Sequence, residues 1–275
     1  MEKYLTSLNN CKIYYQTAGD PKNPCLFFVH GIGQNHSCWQ KYLEHFSKHY
    51  FCISQDLRGH GKSQFKKISM ANFAEDLNEI LKAENIKKAT FVGYSLGTQI
   101  IGKFYEEHSK KIEKAVLIGI FTPETFKISQ KVIFYPIAYV LRTLLWIPYK
   151  LGIRRYVYPY NDYSVCHRKR IYGWKAVAFP FLYVIPWHDF AGMHLLAYFD
   201  TLISVLSYAP HLDRISVPTL AIQSAEDFFV SFQRTLNALK ENPNVKLDYI
   251  DCDHLIIRRK PEAVCERIAK FLISS

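Results

Sequence analysis

The sequence predicts an α/β fold with a mostly parallel central sheet flanked by helices. Short apolar runs rich in β-branched and aromatic residues alternate with helical periodicities up to residue 120. The same alternation returns at Val217 and continues to the last residues of the sequence. Strands are expected over residues 12–16, 25–30, 51–55, 90–94 and 115–120, then over TLAIQS after Pro218 and over 245–250. Residues 72–83 place Phe73, Leu77, Ile80 and Leu81 on one helical face. Further helix patterns cover 96–108, directly after Ser95, and 262–272.

Between Phe121 and Val217 the rhythm stops, so an α/β core over 1–121 and 211–275 is expected to carry an insertion over 122–210. This insertion holds twenty of the 42 aromatic residues (19 Phe, 19 Tyr and 4 Trp), among them Trp146, Tyr149, Trp174 and Trp187. Its longest apolar run, 132–141, contains Pro136 and ends at Arg142, short of the ~20 residues needed to span a bilayer. Lys131, Arg142, Lys150, Arg154 and Arg155 border the aromatic stretch, a mixture compatible with lying at a membrane surface. Buried stripes outnumber lipid-facing ones, so an amphipathic cap packed on the core is the preferred reading.

A chain of 275 residues with 49% hydrophobic and 21% charged residues suits one large domain with an insertion better than two equal domains. The net charge of +11 would attract nucleic acid, anionic membranes and acidic substrates alike. No basic run alternates with aromatics in a nucleic-acid-binding pattern, so nucleic acid is not an expected partner and weak attraction to a membrane surface is. The first twenty residues lack the pattern of a secretory signal. Seven cysteines, Cys11, Cys25, Cys38, Cys52, Cys166, Cys252 and Cys265, fall without CxxC or metal-ligand spacing. Reduced, mostly structural thiols in a cytoplasmic protein are therefore expected, with no metal and no cofactor.

The segment GYSLG, from Gly93 to Gly97, matches GxSxG between a strand pattern and a helix pattern, the context in which that motif exposes a serine on a sharp turn. Serine also caps helices, but capping does not require glycine on both sides. A serine hydroxyl is a poor nucleophile at neutral pH and needs a base, with a third group to fix the base's tautomer. His254, in DCDHLI after the last strand pattern, is the candidate base, and Asp227, in SAEDFFV, the candidate acid. Glu226 and Glu124 remain alternatives for the acid, and Asp251 and Asp253 are expected only to polarise the surroundings of His254. Acyl transfer also needs donors for the oxyanion. The Ile32 amide, in the loop after FFVHG, and the Leu96 amide, in the first helical turn, are the candidates.

With HGIG, DLRGHGKS from Asp56 to Ser63, GYSLG, the late Asp227 and the late His254, the chain resembles the α/β-hydrolase superfamily over essentially all of its length outside the insertion. The resemblance implies an α/β-hydrolase fold in which a helical lid, here over 122–210, follows the sixth strand and covers the active site, with His60 structural. Many relatives read GxSxGG, whereas Thr98 stands at the last position here. That departure implies different helix packing or a polar group near the pocket. Ser95 disfavours epoxide opening and dehalogenation, which use an aspartate at the same place. Hydrolysis of a small hydrophobic, lipid-like ester is the leading expectation. Carbon–carbon bond hydrolysis, lyase or perhydrolase chemistry with the same triad, and a ligand receptor without turnover, stay open.

Overall fold

Eight strands, β1 (Glu2–Ser7), β2 (Cys11–Ala18), β3 (Cys25–Val29), β4 (Phe51–Gln55), β5 (Ala89–Tyr94), β6 (Ile112–Ile118), β7 (Thr219–Ser224) and β8 (Val245–Ile250), form one sheet in the order β1-β2-β4-β3-β5-β6-β7-β8. The computed structural model describes residues 1–123, 125, 128–151, 193, 195–224, 226–227, 230–239 and 242–273. The β1–β2 and β2–β4 pairs are antiparallel and all other pairs parallel. Parallel strands covered on both faces read as continuous apolar runs. That is why CLFFV and ATFVGY stand out in the sequence: every residue of β3 and β5 is buried.

The first strand is not among the expected ones. EKYLTS alternates between exposed and half-buried positions at the sheet edge, and a turn with Asn9 and Asn10 at φ 60° and 52° returns it against β2.

The α-helices among the described residues are α1 (Gln40–Phe46), α2 (Met70–Ala83), α3 (Leu96–His108), α4 (Ile128–Lys150), α5 (Leu195–Ser207), α6 (Phe232–Leu239), α7 (Ile256–Arg259) and α8 (Pro261–Ile273). Helix α2 starts two residues earlier than the apolar periodicity indicates, because the Ser69 side chain accepts from the Asn72 amide and caps it. Successive strand residues face opposite sides of the sheet, which divides the core in two. Phe27 and Phe91 pack with Leu77 of α2 and Phe104 of α3 on one side. Phe28 and Val92 pack with Tyr42 of α1 and Ile268 of α8 on the other.

The described part of the segment after β6 contains α4, which continues through Pro136 and Pro148, and α5. A third apolar cluster joins the two helices through Ala138, Ala197, Tyr198 and Phe199, and Ile32 packs against it. Arg154, Arg155, Trp174 and Trp187 of the expected lid, and Cys166, lie outside the described residues. Among the described residues, no helix is long and apolar enough to cross a membrane.

Candidate active site

Strand β3 lies between β4 and β5 although it precedes both in sequence, and this reversal opens a crevice at the carboxyl ends of the strands. Val29 is paired with Gly93, so the loop after β3 and the turn after β5 leave the sheet side by side. At that turn Ser95 adopts φ 52°, ψ −114°, a region that residues other than glycine rarely enter. Its amide donates to the Ile118 carbonyl at 2.9 Å, tying the turn to β6. Both flanking glycines are required by contact. A Cβ at Gly97 would lie 2.3 Å from the Val29 carbonyl oxygen, and one at Gly93 would lie 2.5 Å from the Ile101 side chain.

Loops from three different strands converge on this serine. The Ser95 hydroxyl lies 2.9 Å from His254 Nε2, and His254 Nδ1 lies 2.6 Å from Asp227 Oδ2. All three residues are buried. With His254 Nδ1–H donating to the Asp227 carboxylate, Nε2 is the ring nitrogen that accepts from the serine hydroxyl. The other oxygen of Asp227 accepts from the Val230 amide at 3.0 Å and fixes the carboxylate plane. Glu226 is exposed, and its backbone amide donates to the Cys252 carbonyl at 3.2 Å. Glu124 lies outside the described residues.

Asp253, next to His254, has a structural role of its own. Its Oδ1 accepts from the Leu255 amide at 3.1 Å and pairs with Arg259 at 3.0 Å, so it braces α7. Asp251 is exposed.

The segments that carry the two candidate oxyanion donors both adjoin Ser95. A Cβ at Gly31 would lie 3.2 Å from Ser95 Cβ, which puts the loop carrying Ile32 directly against the serine. Leu96 opens α3, where first-turn amides have no partner within the helix. His30 sets the loop's course. The Leu57 amide donates to His30 Nε2 at 3.0 Å, so the proton sits on Nδ1, which donates to the Gly31 carbonyl at 2.7 Å. Burial pushes the His30 pKa down to about 4 and keeps the ring neutral.

Three residues to which the sequence assigned no catalytic role complete the frame. Tyr94 is buried, its hydroxyl donates to the His254 carbonyl at 2.6 Å, and its ring centroid lies 5.3 Å from that of His254. Asp56 accepts from the His36 amide at 2.6 Å and from the Lys62 amide at 2.7 Å. Its carboxylate fills the space beside Gly61, where φ is 51° and a Cβ would lie 2.2 Å from it. Arg58, wholly buried, forms a two-pronged pair with Asp76 and donates to the Lys67 carbonyl at 2.8 Å. The DLRGHGKS turn is therefore a braced corner, in which His60 is also buried. Thr98 is a helix brace as well: its hydroxyl donates to the Ser95 carbonyl at 2.7 Å and accepts from the Phe121 amide at 3.3 Å. A serine, a base and an oriented acid in hydrogen-bond contact beside two amide-bearing loops can form and break an acyl–oxygen bond.

Known proteins share this architecture. Residues 24–140 match the family model described as alpha/beta hydrolase fold. The chain is 32% identical over 94 residues to 3-oxoadipate enol-lactonase 1 of Acinetobacter baylyi, 34% of this chain and 35% of that protein. It thus spans about a third of the length of the curated relatives it matches first. A hydrolase from Pseudomonas aeruginosa superposes with a TM-score of 0.74 at 19% identity, covering 99% of this chain and 98% of that one. An esterase from Thermogutta terrifontis does so with a TM-score of 0.72 at 18% identity, with the same coverage of 99% and 98%.

The sheet order, the strained serine turn and the family match define a protein of the α/β-hydrolase fold. The family match covers 117 of the 275 residues, and the solved structures share this fold along essentially the whole chain.

Proposed function

We propose that the chain is a serine hydrolase that cleaves carboxylic esters of hydrophobic, lipid-like substrates through an acyl-enzyme on Ser95. The observation that carries this reading is the hydrogen-bonded series from Ser95 through His254 to Asp227. Ser95 attacks the ester carbonyl as His254 takes its proton, and the Ile32 and Leu96 amides receive the oxyanion. The imidazolium then protonates the leaving alcohol, and the neutral ring activates water to release the acid. Asp227 stays ionised throughout.

Names among the similar proteins support ester chemistry, since esterases and an enol-lactonase both act on acyl–oxygen bonds. A lactone is a cyclic ester, so lactone opening by the same steps is the second reading, favoured by the enol-lactonase match. The preference for an apolar acyl group rests on the aromatic richness of residues 122–210, proposed to form a lid. Six buried cysteines among the described residues, present as thiols, fit a cytoplasmic location.

The test is turnover of p-nitrophenyl esters of increasing acyl length by the unaltered chain and by Ser95→Ala. Release that depends on chain length and is abolished in the variant is the expected result. Equal release by both proteins removes Ser95 from the mechanism, and lactone opening without p-nitrophenyl ester turnover selects the second reading.

A further inference from the structure

The outer side of α4 presents a row of apolar side chains to solvent. Val140, Leu144, Ile147 and Leu151 are between 52% and 73% exposed, and their spacing stacks them along one helical face. Contiguous exposed apolar surface of this kind marks a contact site, unlike single exposed leucines. Trp146 stands beside the row, and the Lys150 ammonium lies 5.4 Å from its ring centroid. The helix sequence, ISQKVIFYPIAYVLRTLLWIPYK, contains no aspartate or glutamate. On its inner side Ala138, Leu141 and Leu145 join the cluster that also holds Ile32. The same helix thus faces outward with an apolar row and inward toward the loop beside Ser95.

We infer that this face of α4 docks on an anionic lipid bilayer. A tryptophan with a cation beside an apolar row is the arrangement favoured where hydrocarbon meets headgroups. The absence of carboxylates on the helix and a net charge of +11 suit a negatively charged leaflet. A second copy of the chain fits less well, because it would bring cationic faces together with no carboxylate on either helix to receive them. The contact lies along the surface, with α4 in the plane of the interface. It rests on the hydrolase reading and extends it by naming where a lipid-like ester would be met, beside the helix pair that packs against Ile32 in the loop next to Ser95.

The test is flotation of the intact chain with vesicles of phosphatidylcholine alone and of phosphatidylcholine mixed with phosphatidylserine. The expected result is binding to the mixed vesicles that weakens as salt is raised. Leu144→Ser/Ile147→Ser should lower the bound fraction about tenfold or more, and Lys150→Glu should lower it on mixed vesicles more than on neutral ones. All three side chains project from the fold, so the melting temperature of each variant reports that folding is intact. Failure of the unaltered chain to float with either vesicle, or unchanged flotation of the double variant, overturns the inference. So does a dimer in lipid-free buffer that the double variant converts to monomer without any vesicle binding. Flotation reads no chemistry, so its outcome is separate from that of the ester assay.

Discussion

The Tyr94 hydroxyl donates to the His254 carbonyl at 2.6 Å across 160 residues of sequence. The residue next to Ser95 thereby holds the backbone of the residue that would deprotonate it. Replacing Tyr94 by Phe keeps the ring that packs beside His254 and removes this one bond. The expected outcome is a stability loss of about 1 kcal/mol and a fall in kcat of roughly tenfold with KM little changed. Steady-state kinetics on a short ester, alongside urea melts, measure both. A change confined to KM would show that the bond does not position the imidazole.

Asp227 and Glu226 are neighbours with opposite surroundings, one buried against His254 and the other exposed. Asp227→Asn should leave the fold intact and lower kcat by roughly 10⁴, because the amide favours the wrong imidazole tautomer. Glu226→Gln should leave kcat within about twofold, as surface substitutions generally do. If the two variants lose activity equally, the acid has been misassigned.

His30 and His60 make folding sensitive to acid. In the unfolded chain each ring takes a proton near pH 6.5, whereas burial lowers His30 to about 4 and His60 to about 3. Between those values the unfolded chain holds more protons. Stability is therefore complete above about pH 6.5 and falls as pH drops toward 4. At about 1.4 kcal/mol per pKa unit, His30 alone accounts for a loss on the order of 3 kcal/mol. The rings lie 5.2 Å apart, so their contributions are not additive. Urea midpoints measured from about pH 7 to pH 5 should fall for the unaltered chain and less steeply for His60→Gln. Parallel slopes would remove His60 from this account.

The fully buried strands are legible in the sequence because burial on both faces leaves a continuous apolar run, as in CLFFV and ATFVGY. Strand β1 is not, because half of EKYLTS faces solvent and mimics a polar leader. The adjacent Asn9 and Asn10 were the available signal, since asparagine tolerates the positive φ that the turn imposes. Ser95, Asp227 and His254 can be picked out as candidates because their residue types and chain order follow a known logic. The roles of Tyr94, Asp56, Arg58 and Asp76 depend on contacts between distant segments, and neither composition nor spacing encodes them. The Arg58–Asp76 pair, for instance, joins the corner after β4 to the middle of α2.

The pairing of Val29 with Gly93 has a consequence for how the site is lost. Because that ladder rung fixes both the elbow and the loop opposite it, slippage by one residue would turn every side chain of the strand to the other face. A rung at the centre of a sheet buried on both faces should therefore open late, and amide exchange along β3 and β5 is expected to be among the slowest in the domain. The serine's geometry is thus tied to the central strands, through that rung and through its own amide on the Ile118 carbonyl.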